Sequence, residues 1–100
     1  MSEEVSVSDT LPGLSRELTI QNRLGLHARA SATLVRVATQ FKAEITLSRD
    51  DQSVNAKSIL GMMTLAAAQG TRVRVTCVGA DEAAALEAVA ACINNKFGED

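Results

Sequence analysis

The chain has 100 residues, ten of them basic and twelve acidic, for a formal net charge of −2 at neutral pH. That length builds one domain around one hydrophobic core and leaves no room for a deep enclosed substrate pocket, so chemistry is expected at the surface. The absence of any basic block argues against nucleic acid as a partner. Cys77 and Cys92 have no further Cys or His at ligand spacing, so they are expected to be small core residues, with no metal site and no redox pair. No apolar run reaches membrane-spanning length, and the start lacks a basic stretch followed by a signal-type apolar segment. We expect a cytoplasmic protein with no membrane insertion.

Residues 1–16 are serine-rich and aromatic-free and hold the one proline, Pro12, beside Gly13; they read as a flexible N-terminal arm. A domain over 17–97 and a C-terminal tail over 98–100 follow. The first strand is expected over 17–22, with Leu18 and Ile20 on its apolar face. A loop over 22–26 then delivers His27, the chain's one histidine. Ala30, Leu34, Val37, Ala38 and Phe41 recur at three- and four-residue steps, which predicts a helix over about 28–40. Alternation over 43–48 puts Ala43, Ile45 and Leu47 toward the core. The polar turn 49–52 and a short strand near 53–56 complete a hairpin.

Ser58 stands at the N-cap of a second helix, expected to end before Gly70. In this helix Ile59, Leu60, Met62, Met63 and Leu65 are too many apolar residues for one buried stripe. Met62 and Leu65 are assigned to the core, and Ile59, Leu60 and Met63 to an exposed docking patch, with full burial of all five as the alternative. The fourth strand, 71–78, points Val73, Val75 and Cys77 inward. Asp81 is the expected N-cap of a third helix carrying Leu86, Val89, Ala90, Ile93 and Phe97 on one stripe.

The element order is βαββαβα, and each strand has one apolar and one polar face. Such strands take helices on one side and water on the other. The predicted fold class is therefore α+β, an open-faced sandwich with a four-stranded antiparallel sheet and three helices packed on one face. An RNA-binding sheet is a poor alternative, because two Phe and no Trp or Tyr leave no aromatic platform.

His27 falls at or just before the first helical residue, where unpaired backbone N–H groups and the positive end of the peptide dipoles attract anions. Arg29 adds a planar donor fork suited to phosphate oxygens. Together they point to a phosphoryl group carried on histidine; the alternatives are that His27 is only a cap and Arg29 a solvated first-turn side chain. No glycine-rich phosphate cradle or carboxylate pair is present, and Asp50 and Asp51 read as a solvated turn. The phosphoryl group would therefore have to come from a partner protein.

Two runs, Gly25-Leu26-His27-Ala28-Arg29-Ala30 and Lys57-Ser58-Ile59-Leu60-Gly61-Met62-Met63-Thr64-Leu65, make the chain resemble the HPr family of histidine-containing phosphocarriers from about residue 17 to 97. The Ala-rich run 65–71 and the segment Ile93-Asn94-Asn95-Lys96-Phe97 are more similar to its nitrogen-related branch, NPr. The resemblance implies the same open-faced fold and phosphorylation of His27 on Nδ1 by a phosphoenolpyruvate-dependent Enzyme I. It also implies onward transfer to a histidine of an enzyme IIA protein, in transport or in nitrogen and carbon regulation. Arg29 would stabilise the phosphate, and Ser58 aligns with a serine modified by a dedicated kinase in many relatives, which implies a serine kinase or phosphatase as a further partner. Proline usually stands where this chain has Ala30, a good helix former that leaves the site intact. The expectation is a monomeric, stoichiometric carrier with no cofactor, rather than an independent enzyme. The rival is a regulatory module that docks a kinase or transcription factor through the same surface without transferring a phosphoryl group.

Overall fold

The computed structural model describes residues 13–99; most of the expected arm lies outside them. The elements are β1 (Leu14–Thr19), α1 (Ala28–Ala38), β2 (Glu44–Arg49), β3 (Gln52–Asn55), α2 (Ile59–Leu65), β4 (Arg72–Val78) and α3 (Glu82–Asn94). The strands form one sheet in the order β1-β4-β2-β3, antiparallel at every pairing. Helix α3 packs on β1 and β4, α2 on β3 and β2, and α1 against the other two helices. This is the expected open-faced α+β sandwich.

Alternation explains why the sheet accepts helices on one side only. Directly opposed residues share a face, and the register sets Leu18 against Val73, Leu47 against Val75 and Ile45 against Cys77. All six are buried, in one core with Leu34, Met62, Leu65, Leu86, Val89 and Ile93 from the helices. The other face is polar and self-paired: Ser15 Oγ lies 2.9 Å from Thr76 Oγ1, Arg74 donates to Glu17 at 3.0 Å, and Ser48 Oγ lies 3.0 Å from Ser53 Oγ.

Several boundaries differ from the sequence pattern. Strand β1 begins at Leu14 and ends at Thr19, three residues early, because Arg16 stands opposite Val75 on the helix side of this edge strand and bonds Glu87 of α3 at 2.6 Å. Its charge hid a strand position. Helix α2 stops at Leu65, where Ala66 takes the left-handed conformation at φ 53°, well short of Gly70. The residues after it are needed elsewhere: Ala67 is buried and accepts from Leu26, while Gly70 and Thr71 bond both polar groups of the Ile20 backbone. Phe97 is buried but not on the α3 stripe, since the helix ends at Asn94 and Phe97 lies in a separate turn, Lys96–Gly98.

Asp81 precedes α3 but makes no side-chain cap bond. Its two carboxylate oxygens accept from the backbone N–H groups of Lys42 and Ala43, at 2.9 and 2.8 Å, and so tie the entry to β2 to the entry to α3. Those bonds, Lys42 first, hold the Asp81 carboxyl below the usual carboxylate range. A depressed native pKa stabilises the fold above the unfolded-chain value and loses that contribution as pH falls through the native value. Asp81→Asn, which keeps one acceptor and no charge, should therefore melt below the parent at neutral pH and lose less of its melting temperature below about pH 4. Thermal melts across that range measure this, and parallel curves would show that Asp81 does not contribute through its charge.

Candidate functional site

Beyond β1 the chain keeps its pairing for one more residue. Ile20 N–H donates to Thr71 and its carbonyl accepts from Gly70. A tight turn follows at Gly25, with φ +67° and its N–H on the Asn22 carbonyl at 3.2 Å. A Cβ at residue 25 would stand 2.5 Å from the Ala67 carbonyl oxygen, so the turn needs glycine for space as well as for backbone angle. Next door, Leu26 N–H donates to that same oxygen at 2.9 Å, and the Leu26 side chain is buried. His27 is thus delivered by a loop anchored at both ends.

His27 is the N-cap of α1, with extended backbone at φ −77° and ψ −179°. Its carbonyl accepts the first helical bond, from Ser31 at 2.9 Å. Ring atom Nδ1 accepts from the backbone N–H of Arg29 at 3.2 Å, filling the place that Ser or Asp takes at most helix starts. Ring atom Nε2 lies 2.6 Å from Oε2 of Glu99. The cap reading of His27 therefore holds, and the nitrogen that caps the helix is the one facing its positive end.

Glu99 was not legible as a site residue and fell in the expected tail. It comes back to His27 because Lys96, Phe97 and Gly98 all take positive φ, at 57°, 56° and 80°, folding the chain over the start of α1 with Phe97 buried beneath. The usual signal for such a bend is glycine at each position, and here two of the three are not glycine. The Oε1 atom of Glu99 accepts from Asn22 Nδ2 at 2.9 Å. The Asn22 amide, the His27 ring N–H and the nearby positive charge of Arg29 hold the Glu99 carboxyl below its ordinary range, while partial burial works against them.

Arg29 is exposed and bonds no other described residue through its guanidinium. It lines an open depression with His27, Arg23, Phe97, Gly98 and Glu99. Two arginines and a helix start thus line the depression beside His27, an arrangement fitted to an anion. Arg23 was missed because a charged loop residue carries no periodic signal. No group of metal-ligating side chains occurs among the described residues.

The second sequence run lies close in the fold. Ser58 is the N-cap of α2, its Oγ accepting from Gly61 N–H at 3.0 Å. Met62 and Leu65 are fully buried, whereas Ile59, Leu60 and Met63 are 42%, 76% and 43% exposed. The apolar residues of this helix therefore divide as their number demanded. The bond from Leu26 to Ala67 joins the His27 loop to the chain just after α2.

Fold and site together define an open-faced α+β domain that presents one histidine at a helix start, on its surface. A family model described as "PTS HPr component phosphorylation site" matches residues 14–95. The chain is 51% identical to a phosphocarrier protein HPr of Xylella fastidiosa over 87% of its length and 98% of that protein's. It is 41% identical to a phosphocarrier protein NPr of Shewanella violacea over 86% and 94% of the two. A crystal structure of an HPr from Thermoanaerobacter tengcongensis superposes with a TM-score of 0.84 at 40% identity, covering 87% of this chain and 98% of that one. The chain belongs to the HPr family, the phosphocarrier proteins of the phosphotransferase system, which as a family exchange phosphoryl groups with Enzyme I and enzyme IIA proteins.

The anchored turn gives a direct test of how the loop is held. Gly25→Ala, with its left-handed φ and its contact on Ala67, should destabilise the fold by about 1–3 kcal/mol and raise amide exchange at Leu26 well above the global opening rate. Denaturant titration and hydrogen exchange read both effects, and a variant as stable as the parent would show that the loop shifts freely.

Proposed function

We propose that His27 is the phosphoryl acceptor and donor, reacting through Nδ1, and that Arg29 binds the phosphoryl oxygens. The observation that carries this is the position of Nδ1: it accepts from the Arg29 N–H at the start of α1, in a depression also lined by the exposed Arg29 side chain. Enzyme I supplies the group from phosphoenolpyruvate, and a histidine of an enzyme IIA protein removes it. As the Nδ1–P bond forms, the Arg29 N–H that now reaches Nδ1 is freed for a phosphoryl oxygen. Helix dipole and exposed charge contribute about 0.3–2 kcal/mol, and each charge-assisted bond about 1.5–3 kcal/mol before desolvation. That is enough to orient a dianion in an open site and too little to trap it.

Docking falls to Ile59, Leu60 and Met63, whose exposure beside the His27 loop supports the assignment. Two flexible Met and Leu side chains suit a surface that meets more than one partner. The proposed carrier works as a monomer in the cytoplasm; no helix among the described residues is long and apolar enough to cross a membrane. The nitrogen-related branch is the assignment we favour, on the run 65–71 and the segment 93–97. Comparing phosphorylation rates with sugar-type and nitrogen-type Enzyme I decides it.

Incubation with Enzyme I and phosphoenolpyruvate should place acid-labile label on the parent and none on His27→Ala. Label that persists on the variant sinks the assignment. Absence of label on the parent would leave the rival, a module that docks a kinase or transcription factor through the same face. Arg29→Glu should be loaded at least about tenfold more slowly with its fold intact, since the reversed charge repels the dianion over a few ångströms.

Ser58 is a proposed regulatory phosphorylation site, for a serine kinase and phosphatase pair. A phosphate there meets the positive end of α2 and adds about −1.5 to −2 charges next to Ile59 and Leu60, so docking suffers while the fold survives. Ser58→Asp should slow loading of His27 without lowering the melting temperature. Ser58→Ala should lose a cap worth about 0.5–2 kcal/mol and transfer nearly normally. Rate measurements and melts on both variants test this, and equal loading of Ser58→Asp and parent refutes it.

A further inference from the structure

We propose that Glu99 is a positioning residue for the transfer: held by Asn22, its carboxylate keeps the proton on Nε2 of His27, so that Nδ1 attacks and later leaves as part of a neutral ring. This rests on the reading of His27 as the phosphoryl carrier. Three observations support it. A neutral imidazole has one N–H, and Nδ1 accepts from Arg29 N–H, so the proton lies on Nε2, the nitrogen 2.6 Å from Glu99. The carboxylate has no freedom to turn away, because its other oxygen accepts from Asn22 Nδ2, and that fully buried amide also donates to the Gly25 carbonyl at 2.8 Å. One side chain thus braces both the loop that carries the ring and the acid that holds it. Finally, the left-handed run 96–98 is an unfavourable backbone for Lys96 and Phe97; it persists because Phe97 is buried and Glu99 is bonded at the far end.

The consequence follows from the electron count. On loading, the Nδ1 lone pair forms the N–P bond as the N–P bond of the phosphohistidine donor breaks, and that bond's electron pair returns to the donor nitrogen. Nε2 keeps its proton, so the phosphorylated ring is cationic and faces the Glu99 anion, whose side chain is only 19% exposed. On unloading, the Nδ1–P pair stays with the ring, which departs as neutral imidazole. Had the Nε2 proton been lost, the leaving group would be an imidazolide anion, which departs far less readily.

The decisive experiment compares the parent with Glu99→Ala and Glu99→Gln. In the unphosphorylated, nitrogen-15-labelled parent, the Nε2 proton of His27 should resonate as a hydrogen-bonded signal exchanging slowly with water. In Glu99→Ala it should exchange about tenfold faster or more, while Glu99→Gln, which retains a neutral acceptor, should protect it in part. Transfer from loaded protein to an enzyme IIA histidine should slow by about tenfold or more in Glu99→Ala, with Glu99→Gln between that and the parent. Circular dichroism and melts establish that both variants are folded. A parental Nε2 proton that exchanges as fast as that of Glu99→Ala, or equal outward transfer by folded Glu99→Ala and parent, overturns the proposal. The proton measurement needs no phosphoryl donor, so a failure to label His27 and a failure of this contact give separate results.

Discussion

The contact on which the site depends most is made by the amide of Asn22, a side chain with no exposure that donates one bond to the Gly25 carbonyl and another to Glu99. Its buried Oδ1 has no partner among the described residues, so the amide acts through Nδ2, whose two bonds fix the two segments they reach. One is the turn that lifts His27 to the start of α1. The other is the returning chain after α3, which buried Phe97 and the bonds to Glu99 hold across the helix start. Remove the amide and both segments lose a common reference.

In the proposed role the site serves two opposed demands. A carrier must attract a dianion and also release it, so its binding energy has to stay shallow. Exposed charge and helix-terminus N–H groups are suited to this, because water screens them and their combined effect stays within a few kcal/mol. A deep basic pocket would bind phosphate more strongly and pass it on more slowly. The histidine therefore belongs on the surface, held in orientation by its neighbours and not enclosed by them, as it is here with Nδ1 on the Arg29 N–H, Nε2 against Glu99 and the residue lining an open depression.

Helix α2 is short for a related reason. Its last turn gives way to a left-handed Ala66, and the next residue offers its carbonyl to Leu26. Continuing the helix would have paired that carbonyl within α2 and left the Leu26 N–H, in a buried position, without its partner. The exposed Ile59, Leu60 and Met63 are thereby coupled through the backbone to the loop bearing His27.

Much of the fold was legible in the chain because it is carried by periodicity. The alternation in 43–48 and 71–78 and the three- and four-residue steps of the first and third helices name most of the buried residues, with Val37 and Phe41 half-buried and Ser31 buried unannounced, since burial on one face is what those patterns encode. His27, as the one histidine at a strand-to-helix boundary, and Ser58, at a cap, were likewise readable, because local geometry at helix starts follows from residue type. Even the division of α2 into buried Met62 and Leu65 and exposed Ile59, Leu60 and Met63 followed from counting apolar residues against one stripe. What the tertiary structure alone decided has no period and no local preference behind it. Arg16 joins the edge strand because Glu87 lies across from it, Asp81 serves the entry to β2 instead of its own helix, and Phe97 leaves the α3 stripe for a left-handed turn. Glu99 reaches His27 across 72 positions of sequence through that turn and a buried amide. Such contacts are set by which segments the packed core brings together, and no window of neighbouring residues contains that information.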